Sequence, residues 1–272
     1  MIHFLQLDFL QYEFMIRALI VGVVSAITTA ILGNFVVASR QSVMSDMIAH
    51  TALAGVGMGM FFHFSPFILA FAVSLIVSLF LWLMTRRKTH NPEAISMLLL
   101  SGGLAIALLF SHLAKDNPIS FESYLFGSIL TLTKSEVYTF ISISAVLLAS
   151  LFMFWNRFVV VVFDPDFARS RFKNTFIFEI LFMLFIAIIV ASSLKIIGGL
   201  LVGALLVIPV LSAQNTSKTF KSSVVQSILY SVFGVTVGII SSFYLDIPAS
   251  SGIVLSLILL FAITSMVKIY KS

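Results

Sequence analysis

The chain has 272 residues, 60% of them hydrophobic and 10% charged, with a mean hydropathy of +1.13; an ordinary soluble domain, about half apolar and about a quarter charged, is excluded. Its formal net charge of +5 reflects 16 Lys and Arg against 11 Asp and Glu, and because the basic residues fall mostly in short segments between apolar runs, they read as membrane topology and not as a nucleic-acid surface. With no cysteine in the chain, disulfides and thiolate metal sites are excluded, and any metal must be met by Asp, Glu, His or backbone oxygen.

This composition predicts an all-α integral membrane protein, a single domain over residues 1–272 built as a polytopic bundle of eight or nine transmembrane helices. Residues 1–13, with His3, Asp8 and Glu13 among Phe and Leu, lack the basic start and small-residue cleavage site of a signal peptide and are expected to form an interfacial helix on the membrane lipid. A bilayer core takes about 20 apolar residues per helix. On that rule the first span runs from Phe14 to Val37 and the second from Gln41 to Phe62, with His63-Phe64-Ser65-Pro66 turning into a third from Phe67 to Thr85. The most basic loop, Arg86-Arg87-Lys88-Thr89-His90, follows and is expected on the cytoplasmic side. Pro92 suits the first turn of a fourth span to Leu113, since proline lacks only an N–H that would be unpaired there. Lys115-Asp116-Asn117-Pro118 then breaks the helix, and Phe121 to Leu132 is too short to cross and reads as a re-entrant or interfacial half-helix.

The remaining spans are Val137 to Trp155, Phe176 to Leu194, Leu200 to Ala213, Val224 to Tyr244 and Ile253 to Val267, with Pro209 expected to kink the one that carries it. If the amino terminus is outside and the carboxyl terminus cytoplasmic, the inner loops hold Arg40, Arg86, Arg87, Lys88, Arg157, Arg169, Arg171, Lys173, Lys218, Lys221, Lys268 and Lys271. That is twelve of the 16 basic residues, as a positive-inside membrane protein requires.

Two stretches carry chemistry. In the second span Asp46 and His50 are four residues apart, one helical turn, so both side chains share a face. Ionisable groups in the bilayer cost at least ~2.5 kcal/mol each and usually face a partner or an aqueous path. Ala54 and Gly57 continue that face and either let another helix approach closely or leave room for a solute. One chain offers two ligands; two copies meeting along an axis would offer two Asp and two His, enough for transient coordination of Mn(II) or Zn(II). The second stretch is Asp164 to Lys173. Asp164 is a good N-cap, Pro165 fits N1, and Arg169, Arg171 and Lys173 complement the dipole at the far end, which predicts a short cytoplasmic surface helix. Its Phe167 and Phe172 suit either a groove on a partner protein or the lipid headgroups. His63, His112, Asp116 and Glu122 lie near the outer surface and read as ordinary solvated loop ends in preference to metal-capture groups.

The run from Met44 through Ser45, Asp46, Met47, Ile48, Ala49 and His50 to Val56 resembles the second-helix signature of the permease subunits of ATP-binding-cassette importers for zinc and manganese. Phe163 to Arg169, Tyr124 to Gly127, Leu201 to Pro209 and Asp246-Ile247-Pro248 are further matches in the same order along the chain. The chain departs from the family after Pro248, where a glycine is common and Ala249-Ser250-Ser251-Gly252 stands here. The resemblance implies a homodimeric permease in the bacterial cytoplasmic membrane, with no permanently bound cofactor, that passes Mn²⁺ or Zn²⁺ along a path containing Asp46 and His50. It also implies that Asp164, Pro165, Asp166, Phe167 and Arg169 form a coupling helix on a cytoplasmic ATP-binding subunit, and that an extracytoplasmic metal-binding protein delivers the ion.

The chain carries no Walker-type P-loop, so ATP hydrolysis is expected on a separate chain and not on this transport subunit. The rival reading is an ion-coupled secondary transporter, for which paired broken helices in two inverted halves are expected and not seen in the sequence. An intramembrane enzyme has still less support, since there is no His-Glu-x-x-His run and no nucleophile elbow.

Overall fold

The computed structural model describes residues 12–87, 91–114, 120–127 and 132–271. Among these, regular structure is helical throughout: α1 (Glu13–Ala38), α2 (Ser42–Phe61), α3 (Pro66–Arg87), α4 (Pro92–Leu113), α5 (Glu122–Phe126), α6 (Lys134–Met153), α7 (Trp155–Phe163), α8 (Pro165–Arg171), α9 (Thr175–Ile197), α10 (Gly199–Thr216), α11 (Phe220–Leu245) and α12 (Ala249–Lys271). Eight of them are long and apolar enough to cross a membrane: α1, α3, α4, α6, α9, α10, α11 and α12. The ninth long helix, α2, falls short of that apolarity because it carries Asp46, His50 and a run of small residues. It is instead shielded by protein, bounded by α3, α4, α9 and α10, and 14 of its 20 residues are buried. Lipid-facing helices must be apolar, whereas a helix enclosed by others can be polar on one face.

Small residues make that enclosure possible. A Cβ on Gly55 would lie 2.6 Å from the Leu69 carbonyl of α3, one on Gly57 2.7 Å from the Ala107 carbonyl of α4, and one on Gly59 2.6 Å from Pro66 Cα. Gly57 therefore serves close helix approach, which decides between the two roles open to it in the sequence. Ala54 is likewise buried.

The helix ends follow local rules. Asn91 caps α4 through Glu93 N–H with Pro92 in the first turn, and Thr133 and Glu136 form a reciprocal capping box at the start of α6. The last four spans, α9 to α12, extend a few residues beyond their apolar windows, because capping and polar end residues are helical too, whereas the span expected over Val137 to Trp155 runs Lys134–Met153, with Trp155 opening α7. Helix α10 continues past Pro209. The departure at Ala249 to Gly252 forms the first turn of α12, entered from Asp246 in the left-handed conformation (φ 53°) with Ser251 and Gly252 N–H donating to the Pro248 carbonyl.

Three expectations need adjustment. Glu13 opens α1 and pairs with Arg17 and Lys134, so it belongs to a span and not to an interfacial helix; residues 1–11 of that expected helix lie outside the described residues. Residues 156–163, given no element from the sequence, lie in α7, whose Phe158, Val161 and Val162 are buried against the bundle. The half-helix expected over Phe121 to Leu132 is the five-residue α5, with Phe121 and Tyr124 buried, and 128–131 are outside the description. Lys88 to His90 of the basic loop and Lys115 to Pro118 also fall outside it.

Where α5 ends, Gly127 (φ 78°) packs backbone to backbone on Gly198 (φ 93°), the break between α9 and α10; a Cβ on either would sit 2.5 Å from the other segment's main chain. Only glycine combines that positive φ with that approach. The contact seats α5 at the head of α10, the helix that faces α2.

Candidate functional site

Asp46 and His50 project from α2 into a cleft of about 390 Å³ between α2 and α10, lined also by Ser42, Val43, Gly199, Leu200, Gly203, Ala204, Val207 and Ile208. Within the single chain Asp46 is exposed and His50 half-buried. Both face the same space, as their spacing requires, whereas Ala54 and Gly57 are packed away from it. The opposite wall was not anticipated from the sequence. On α10, positions 199, 203 and 207, with 200, 204 and 208 beside them, are successive turns of one face, and the small residues among them are the signal that could have found it.

Gly203 is the closest of these to the chemistry. A Cβ there would fall on Asp46 Oδ1, so the carboxylate rests directly on the α10 backbone. His50 Nδ1 is buried and has no hydrogen-bond partner among the described residues. A histidine that holds a resident metal normally has its other nitrogen anchored; an unanchored ring suits transient ligation. Among the described residues, no group of three or more His, Asp or Glu could hold a metal within one chain. His63, His112 and Glu122 do not converge, and Asp116 lies outside the described residues.

The second site is α8. Asp164 accepts from Phe167 N–H at 2.9 Å and Pro165 occupies the first turn, so the cap is as the sequence predicts. Ala168 is buried, its carbonyl accepting from Thr175 Oγ1 at 2.8 Å. The two phenylalanines part company: Phe172 is partly buried against the core, and Phe167 stays 54% exposed. Asp166 is also exposed. Arg169 turns back onto the bundle, donating from Nε to Glu179 Oε1 at 3.0 Å, with Asp166 Oδ1 3.6 Å from its Nη1.

Comparison with known proteins accords with this architecture. The high-affinity zinc uptake system membrane protein ZnuB of Buchnera aphidicola (subsp. Acyrthosiphon pisum) is 28% identical over 247 residues, 90% of this chain and 94% of that one. The manganese transport system membrane protein MntC of Listeria monocytogenes is 23% identical over 254 residues, 93% of this chain and 90% of its own. Among solved structures, PsaBC from Streptococcus pneumoniae in complex with Fab superposes with a TM-score of 0.82 at 22% identity, covering 95% of this chain and 93% of that one, which establishes the shared fold. The ABC 3 transport family matches residues 11–268, and the chain therefore belongs to the ABC 3 transport family, the permease family its second helix resembles.

Proposed function

We propose that this chain is the transmembrane subunit of an ATP-driven importer of divalent transition metals, manganese or zinc, in which two copies form the translocation path and Asp46 and His50 of each copy meet the ion. The observation that carries this reading is the α2–α10 cleft. It presents one carboxylate and one imidazole on one face of α2, a helical turn apart, on a surface that a single chain leaves open. A second copy across it would bring the ligand count to four, suitable for a borderline divalent cation. The names of the zinc and manganese relatives give the same cargo class.

In this reading α8 docks on a cytoplasmic ATP-binding subunit, using exposed Phe167 as its apolar anchor, with Asp164, Pro165 and Asp166 shaping the helix that presents it. An extracytoplasmic metal-binding protein supplies the ion. The carboxyl terminus lies in the cytoplasm of a bacterial cell, in keeping with the basic residues gathered at the corresponding helix ends. Phe167→Ala is expected to weaken association of the ATPase with the permease by about thirtyfold or more, read as lost recovery in co-purification, since truncating a central interface anchor typically costs ≥ ~2 kcal/mol. Unchanged recovery would assign α8 to the lipid surface.

A ligand pair completed only by a second chain, with an unanchored imidazole, should bind weakly and release readily, which translocation needs. The permease is therefore expected to discriminate poorly between zinc and manganese and to leave selection to the upstream binding protein. Exchanging that protein for one of the other specificity, with docking preserved, should exchange the metal carried into proteoliposomes. Strict retention of one radiolabelled metal would make the Asp46 and His50 site the filter. The function as a whole is tested by reconstitution with and without ATPase and binding protein; uptake that needs neither would favour a secondary transporter.

A further inference from the structure

The inner ends of α3, α8 and α9 converge on one withdrawn carboxylate. The Glu179 side chain, in the second turn of α9, is 13% exposed. One of its oxygens accepts from Arg169 Nε of α8 at 3.0 Å and the other from Trp82 Nε1 of α3 at 3.2 Å. The Arg86 guanidinium lies over the Trp82 ring, 5.2 Å from its centroid, which fixes the indole that donates to Glu179. A carboxylate so far removed from water persists only with partners, and here the two come from two other helices.

Besides this link, α8 is held at Ala168, whose carbonyl accepts from Thr175 Oγ1 of α9, and by Phe172 at its end. It has seven residues, of which Ala168 is buried, and a helix that short has no stability of its own. Beside the link is a cavity of about 140 Å³ lined by Gln41, Thr85, Trp82, Arg169 and Glu179. Gln41 Oε1 and Thr85 Oγ1 are buried there without hydrogen-bond partners among the described residues. The polar link thus lies at the edge of a gap in the packing between α8 and the bundle. Helix α3 packs along α2, and Gln41, the residue before α2 and five before Asp46, lines the same cavity as Trp82, Arg169 and Glu179.

We propose that Glu179 is a positioning residue that ties α8 to α9 and α3, and through α3 to the helix bearing Asp46 and His50, so that Arg169 transmits movement within the chain while Phe167 meets the ATPase. This rests on the reading of α8 as the ATPase-docking helix. A structural brace would alter yield and stability; a transmitting link alters how much transport each ATP delivers.

The test uses the permease reconstituted with its ATPase and binding protein, with radiolabelled manganese or zinc uptake and phosphate release measured on the same proteoliposomes. Glu179→Gln keeps the shape and the acceptor for Trp82 and removes the charge that holds Arg169. It is expected to co-purify with the ATPase at the wild-type level and to retain ATP hydrolysis, while metal transported per ATP falls about fivefold or more, the lower range of measured couplings. Arg169→Gln should lower the same ratio, and the Arg169→Gln/Glu179→Gln pair should lose no more than either alone, the mark of one shared interaction. Trp82→Phe, which keeps the ring under Arg86 and removes the N–H, gives an independent reading and should lower the ratio less. A wild-type ratio in Glu179→Gln, or losses that multiply in the double variant, overturns the inference. Failure of the wild-type chain to recruit an ATPase overturns the docking reading itself, and this inference with it.

Discussion

Asp46→Asn and His50→Ala are each expected to reduce metal uptake by at least about tenfold, equivalent to ~1.4 kcal/mol or more of lost stabilisation of the ion in transit, while dimer assembly and ATPase binding persist. Asparagine keeps the size of the Asp46 side chain and its place on Gly203 but loses the charge that compensates a dehydrating dication. Alanine at position 50 removes the imidazole altogether. Neither residue supports the core: Asp46 is exposed in the single chain, and α2 is held by the packing of its glycines on α3 and α4. Uptake of radiolabelled metal by proteoliposomes, with co-purification of the ATPase as the control, decides the matter. Wild-type uptake in both variants would remove the pair from the path.

Gly203→Ala is expected to lower uptake by a comparable factor, about tenfold, with little change in thermal stability. The added methyl would fall on Asp46 Oδ1. What it meets is the end of a side chain beside an open cleft, so relief comes from rotating the carboxylate and not from parting α2 and α10. Alanine is also the better helix former, by roughly 0.5–1 kcal/mol, which offsets residual crowding. The contrast with Gly33 of α1 is instructive, since a Cβ there would run into the Leu206 carbonyl of α10. That obstacle is backbone, and alanine at position 33 has to force two helices apart. If Gly203→Ala transports normally, the resting position of the Asp46 carboxylate on α10 has no bearing on translocation; a large fall in melting temperature would show that the helices, and not the side chain, gave way.

The halves of the candidate site were unequally legible. The pairing of Asp46 with His50 is local, fixed by the 3.6-residue period, and so is readable from the sequence. Gly203 and the rest of the α10 wall are about 150 residues further on; only packing brings them opposite α2. The same holds for α8, whose Asp164 cap and Pro165 start are local signals. The division of labour between Phe167, which stays exposed, and Phe172, which is drawn toward the core, depends on where α9 begins beneath it. Arg169 reads from its position as a helix-end charge on a docking surface, yet its partner Glu179 belongs to the next helix and its neighbour Trp82 to α3. Ion pairs between helices leave no periodic trace.

By itself the sequence determined that the chain is a bundle of apolar helices, where those helices run to within a few residues, and that one helix bears an acid and a histidine on a single face. These follow from the cost of exposing backbone and charge to lipid, which acts on each segment separately. The tertiary structure alone decided that α2, the least apolar of the long helices, is enclosed by α3, α4, α9 and α10; that Gly57 serves helix contact and not a passage; that the carboxylate of Asp46 rests on Gly203; and that α5 is seated by Gly127 against Gly198. Each of these is a close approach between segments far apart in the chain, set by shape at van der Waals distance, where one missing Cβ decides which surfaces can meet.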